Sequence, residues 1–285
     1  MLMSVQRRAG AALVLFAAMS PPLLAAQFTL GIEPSYPREQ AQEVYKPLLD
    51  YLNKSTGHTF TLVVPRNYHF LWRDLRQNKP VDFAFEEAHF VDFRVQRYGF
   101  EPLARTAEPT SYALLAYPEQ AELGLQGLVG KRIACMPSPS LGFALLAEMY
   151  KNPIAQPDIR SEAATWRDGV EMVFAPEVEA AMVQTYIADL YPNLVAIQKT
   201  RDFPGRAMSA APGVDAAAKE AVKDALLKLH EDEALMEVLV ELGASKFEPA
   251  TAAEYAGSEA MLKGFFGYTA APSAAAPAAE PPSTP

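Results

Sequence analysis

Short apolar runs alternate with amphipathic stretches along most of this chain. Phe28–Ile32, Phe60–Val64 and Phe83–Phe85 read as strands. Between them, Val44, Leu48, Tyr51 and Leu52 recur at helical spacing within Gln40–Ser55, and Phe70, Leu71 and Leu75 do so within Tyr68–Gln77. Ala88–Tyr98 continues as a helix, and Phe100–Ala104 is extended again. The order β-α-β-α-β-α-β predicts an open sheet flanked by helices.

A second series follows. Tyr112–Tyr117 and Arg132–Met136 read as strands, with a helix over Leu141–Lys151. Glu171–Phe174 reads as a strand leading into a helix over Val178–Leu190, and Leu194–Ile197 and Ala207–Ala210 read as extended. The remainder predicts helices over Asp215–His230, Ala234–Leu242 and Ala252–Phe266. Two α/β halves imply a cleft, and in such sheets ligands sit beyond the carboxyl ends of strands, where helix N-termini point.

The two ends have a different character. Arg7 and Arg8 precede an apolar run, Ala9–Met19, which Pro21 and Pro22 break before Ala25-Ala26; residues 1–26 therefore read as a secretory signal, too short to span a bilayer. Thr269–Pro285 holds seven alanines and five prolines and reads as a flexible tail. The product is expected in the periplasm with its leader removed, and a monomer is the default. Expected domains are 27–108 for the first lobe, 109–205 for the second, and 206–268 returning to the first.

Charge and composition narrow the function. The net charge is −9, with 34 acidic against 25 basic side chains, which argues against a nucleic-acid partner. The one cysteine, Cys135, excludes a disulfide framework or cysteine-rich metal cluster within one chain. His69, His89, Glu86, Glu87, Cys135 and Met136 are ligand types without diagnostic spacing, so neither a metal nor another cofactor is expected. There is no G-x-S-x-G elbow and no glycine-rich nucleotide loop, so the chain does not read as an enzyme.

The loops at the strand ends carry the candidate chemistry. Pro137-Ser-Pro-Ser-Leu-Gly142 joins a strand to a helix; Ser140 is a candidate N-cap, and Ser138, Ser140 and Gly142 would face an oxyanion at the helix start. Tyr36, Tyr68 and His89 lie on three loops of the first half and would form the opposite wall. Glu86 and Glu87 are explained by capping through the helix dipole, or, facing the cleft, would suit a cation, an amine or a ligand with a proton to share. Glu177 and Glu179 pose the same question in the second half.

Taken together, Tyr45-Lys-Pro-Leu-Leu-Asp-Tyr-Leu-Asn-Lys-Ser-Thr-Gly57, Tyr68 opening the next helix, Val81-Asp-Phe-Ala-Phe85, Leu128-Val-Gly-Lys-Arg-Ile-Ala134, Ser138-Pro-Ser-Leu-Gly142, Pro204-Gly205 and Ala225-Leu-Leu-Lys-Leu229 resemble, in order and spacing, the phosphonate-type periplasmic solute-binding proteins. The resemblance implies a two-lobed type II periplasmic binding fold, each lobe an open mixed sheet flanked by helices. Two hinge crossings, near Thr106–Tyr112 and Lys199–Ala207, would join the lobes. It implies capture of a small phosphonate- or phosphate-like oxyanion for delivery to an ABC permease, with contacts at Tyr36, Tyr68, the loop around Glu86, Ser138–Gly142 and the region of Glu177. A sensory partner of a membrane histidine kinase is the alternative, with an arsenic-type oxyanion and Cys135 as the residue to test. Two departures stand out: Glu86-Glu87-Ala-His89 replaces small residues or proline, and Val170-Glu-Met-Val-Phe174 stands where the family has Val-Asp-Ala.

Overall fold

The computed structural model describes residues 25–270; all but the last two residues of the leader-type segment and all but the first two of the Ala/Pro segment lie outside the described residues. The first half opens with β1 (Gln27–Ile32), α1 (Arg38–Thr56), β2 (Thr59–Val63), α2 (Tyr68–Arg76), β3 (Phe83–Glu86), α3 (Ala88–Tyr98) and β4 (Glu101–Thr106), following the hydrophobic pattern closely. The second sheet is built from β5 (Tyr112–Ala116), the short α4 (Pro118–Ala121), β6 (Arg132–Ala134), α5 (Leu141–Met149), β7 (Asp158–Arg160), α6 (Trp166–Phe174), β8 (Ala180–Gln184), α7 (Thr185–Ala188) and β9 (Val195–Lys199). The chain then returns through β10 (Ala207–Ala210), α8 (Ala216–Lys228), α9 (Met236–Glu241), β11 (Phe247–Pro249) and α10 (Ala252–Tyr255).

Each lobe is a mixed sheet. The first has the order β11-β4-β10-β3-β1-β2, with β1 parallel to β2 and β3, and β10 antiparallel to both β3 and β4. The second has the order β7-β6-β8-β5-β9, with β6 parallel to β7 and β8, and β5 antiparallel to β8 and β9. Two crossings, β4 to β5 and β9 to β10, join the lobes. They are tied to each other: Thr110 and Phe203 exchange two backbone hydrogen bonds of 2.9 Å, and Thr106 N donates to Arg206 O at 2.9 Å.

The lobes are shut on each other. The apolar core of the second sheet runs on into Tyr68, Leu71, Trp72 and Phe90 of α2 and α3. A separate core, around Leu30, Leu48, Phe83 and Leu226, lies between the first sheet, α1 and α8. Among the described residues no helix is long and apolar enough to cross a membrane.

In the second lobe the structure corrects two elements. Glu171–Phe174 is the end of helix α6, not a strand, and the expected helix over Val178–Leu190 opens with strand β8. Thr165 caps α6 in a reciprocal capping box with Asp168, which a four-residue apolar run cannot reveal. β8 is Ala-Ala-Met-Val-Gln, small residues in a strand paired on both edges and buried at every position, so it lacks the alternation by which a strand is usually read.

Candidate functional site

The carboxyl ends of β1 and β3 and the N-termini of α2 and α3 converge on one buried polar junction, where the second lobe meets them. Glu33, just after β1, accepts the Glu87 backbone N–H at Oε1 and the Tyr68 hydroxyl at Oε2, 3.1 Å away. Tyr68 Oη also lies 3.3 Å from Ser35 Oγ. Glu87 sits at the N-cap position of α3 without capping it. Its side chain instead reaches the second lobe, where Oε1 accepts from Tyr112 Oη at 2.6 Å and from Gln184 Nε2 at 2.7 Å. These bonds couple the start of β5 and the end of β8 to the first lobe.

The charges here are unequally matched. Glu33 and Glu87 are 4 % and 1 % exposed, and Arg206, beside the second crossing, is 8 % exposed. Arg206 donates to Leu242 O at 3.0 Å and lies over the Phe85 ring, 4.8 Å from its centroid. Burial, and then the neighbouring Glu87, hold the Glu33 carboxyl well above the usual carboxylate range; burial likewise raises Glu87. Burial works against the Arg206 charge, but Tyr45, Tyr186, Glu87 and Glu33 keep the guanidinium firmly protonated. Tyr68 and Tyr112 are pushed well up by burial and then by Glu33 and Glu87 respectively, so their hydroxyls remain donors.

Of the residues expected from sequence, Tyr68 and His89 belong to this contact region. His89 is fully buried; its Nε2–H donates to the Pro139 carbonyl at 3.0 Å, joining α3 to the loop before α5. Burial lowers its pKa to about 3. Tyr36 stands at the rim, where its hydroxyl donates to Glu241, which also accepts from Arg167 of the second lobe at 3.1 Å. Ser138 is half-buried in the same loop as Pro139.

Others are deployed differently. Glu86 is the last residue of β3 and turns to the opposite side from Glu87, as successive strand residues do; its two oxygens take a bidentate bond from Arg94 at 2.6 and 2.9 Å. The Ser140 hydroxyl is occupied in capping α5: it accepts from Phe143 N and donates to Met136 O, both at 3.2 Å. Gly142 admits side chains, since a Cβ there would stand 2.7 Å from both the Trp166 and Tyr112 rings. Glu177 is exposed at the N-terminal end of β8, across the sheet from Gln184; it was expected in a strand-to-helix loop because α6 and β8 were read in reverse. Cys135 is packed in the core of the second lobe with its thiol pKa pushed up by burial, so the strand end does not open to a solute.

Tyr112, Gln184 and Arg206 were missed. Gln184 ends β8, where its side chain donates to Glu87. Beside it lies a cavity of about 240 Å³, bordered by Thr106, Ser111, Gln184, Tyr186 and Arg206, among others. Among the described residues no group of three or more His, Cys, Asp or Glu side chains is placed to hold a metal ion.

Residues 30–255 match the family described as phosphonate ABC transporter periplasmic substrate-binding protein, over well more than half of the chain. The chain belongs to this family. Its members are substrate-binding proteins, not enzymes, and the family implies an extracytoplasmic location, a small-molecule ligand and a permease partner. No curated protein matches the sequence significantly. Among solved structures, the binding-protein component of a phosphonate ABC transporter from Pseudomonas aeruginosa superposes with a TM-score of 0.66 at 18% identity, covering 81% of this chain and 83% of that one. PhnD1 from Prochlorococcus marinus in complex with methylphosphonate gives a TM-score of 0.69 at 14% identity, covering 83% and 97%. A Xanthomonas citri protein bound to ATP gives 0.62 at 15% identity, covering 82% and 95%. At these identities the three establish the shared type II periplasmic binding fold of this binding protein.

Proposed function

We propose that this protein is the solute receptor of an ABC permease and grips a small organic ligand between its lobes, at the junction of Glu33, Tyr68, Glu87, Tyr112, Gln184 and Arg206. The observation that carries this reading is Glu87: a first-lobe side chain that takes hydrogen bonds from two separate strands of the second lobe, 2.6 and 2.7 Å long. Such bonds exist only when the lobes are shut, so a solute that joins them selects the closed form. The moving bodies are 27–108 with 206–268, and 109–205. The receptor works as a monomer in the periplasm once residues 1–26 have been removed.

Relatives of the same fold point to phosphonate-type ligands, one of them holding methylphosphonate. A thermal-shift panel of phosphonates, phosphate and amines should give at least one hit, because a ligand of the native state raises its melting temperature by mass action. Solution scattering with that hit at saturation should show a smaller radius of gyration than the free protein. Unchanged dimensions with every solute that binds would overturn the reading.

A further inference from the structure

We propose that a groove on the flank of the hinge, between α5 and the C-terminal segment, receives an acidic, partly apolar segment of the permease; this rests on the receptor reading above. Two adjoining cavities, of about 170 and 470 Å³, make up the groove, and Glu148 and Lys151 border both. Lys199 and Arg201 complete the rim of the smaller and Lys263 that of the larger, so four basic side chains face one acid. That balance is the reverse of the chain as a whole, which holds 34 acidic against 25 basic side chains. Glu148 is already engaged, its two oxygens accepting from Arg201 at 2.6 and 3.3 Å. Lys151, Lys199 and Lys263 are exposed, and among the described residues none of them forms an ion pair. The dipole of α5 accounts for a lysine just past its end at Lys151, but not for Lys199 on β9 or for Lys263 after the 3-10 turn Ser258–Leu262. Because β5 lies between β8 and β9, this groove and the cavity beside Gln184 flank the hinge from opposite sides.

The groove spans both lobes. α5 and the end of β9 belong to the second, whereas the turn Ser258–Leu262 is tied to the first by the Glu259 N–H, which donates to Asp92 of α3 at 2.8 Å. Its walls meet where Phe265 packs on Phe143, with ring centroids 6.0 Å apart, and where Arg201 lies 3.0 Å from Met261 Sδ. Closure of the lobes therefore assembles the groove, and opening takes it apart. α5 links it to the ligand junction: Gly142, in its first turn, lies beside Tyr112 and Trp166, and its last turn lines the groove. A partner seated there binds the shut receptor in preference to the open one. The floor is apolar, with Ala144, Met261 and Phe265, so a bare anion would leave it uncovered. A flat bilayer surface would reach only the rim of such a hollow. A peptide with carboxylates for the lysines and an apolar side chain for the floor satisfies both, and the permease is the partner that the family implies.

The test is the rate of ATP hydrolysis by the cognate permease complex in liposomes, titrated with the mature receptor. Lys151→Glu combined with Lys263→Glu should raise the half-maximal receptor concentration at least about tenfold, the scale of close charge pairs at an interface. Lys54→Glu combined with Lys228→Glu makes the same change of net charge at exposed lysines of α1 and α8, and should leave that concentration within about twofold. Both double variants should melt cooperatively and bind the best hit of the thermal-shift panel as wild type does. The wild-type value should climb as salt is added. Benzoylphenylalanine in place of Ala147, activated by light, should cross-link to a permease segment that carries Asp or Glu. Equal weakening by the two double variants, or none by the first, overturns the groove assignment, as does a cross-link to a segment without acids. Equally tight binding of wild type to the same liposomes without permease gives the groove to the membrane and overturns it too. If the wild-type receptor never stimulates hydrolysis, it is the receptor reading that falls.

Discussion

His89 occupies the meeting surface of the lobes with one ring nitrogen donating to Pro139 O and Nδ1 buried without a partner. Its pKa is lowered from 6.5 to about 3 by burial, so the folded protein takes up this proton less readily than the unfolded chain. The stabilisation from neutral His89 is complete above about 6.5 and is lost as pH falls toward 3. Glu33 and Glu87 act in the opposite sense: with folded pKa values raised above 4.5, their contribution is complete below that value and is lost as pH rises through the raised range. His89→Gln keeps a donor for Pro139 and removes only the first effect. Its melting temperature relative to wild type should rise steadily as the pH is lowered from 6.5; a constant offset across that range would remove His89 from the acid response.

At the scale of elements, α5 shows how a motif can be recognised and its role mistaken. Ser138-Pro-Ser-Leu-Gly142 announces a helix start, and α5 does begin at Leu141. The hydroxyl expected to hold a ligand is already bonded to Phe143 N and Met136 O. Ser140→Ala should therefore cost about 1 kcal/mol of stability, as loss of an N-cap does, measured by urea denaturation. A stability unchanged by the substitution would return the hydroxyl to the ligand. The hydrophobic period showed α1 and α2 because those helices have one wet face and one dry one. It failed at β8, an alanine-rich strand buried at every position, and at α6, where Glu171–Phe174 was read alone although Trp166, Gly169, Val170 and Val173 are buried at helical spacing. That reversal moved Glu177 into the expected site and hid Gln184. Glu87 was flagged by its place before α3, but its bonds to Tyr112 and Gln184 join residues 25 and 97 positions away, a relation no local pattern contains.

Across the whole molecule, the C-terminal segment forms a third link between the lobes. The expected helix over Ala252–Phe266 breaks after α10 at Gly257, where φ is +90°, and continues as a 3-10 turn over Ser258–Leu262. That turn is fastened to the first lobe: Glu259 N donates to Asp92 at 2.8 Å, Arg97 Nε reaches Glu259 at 3.1 Å, and Trp72 Nε1 donates to Phe266 O at 2.8 Å. From there it leans on the second lobe, with the Phe265 and Phe143 rings 6.0 Å apart and Arg201 3.0 Å from Met261 Sδ. Opening the lobes must separate these contacts. Phe265→Ala should enlarge the radius of gyration of the ligand-free protein and weaken apparent affinity by the fraction of closed form lost. Identical scattering curves for the variant and wild type would show that the segment follows one lobe passively.

Gly205 sets the manner in which this molecule can open. A Cβ there would stand 2.2 Å from Thr106 O and 2.6 Å from Glu108 O, so the return span lies flush on the outgoing one. Laced together at Thr106–Arg206 and Thr110–Phe203, the spans form a single narrow ribbon, which flexes across its width but resists sideways shear. Opening of the halves is therefore expected as a swing about this one ribbon.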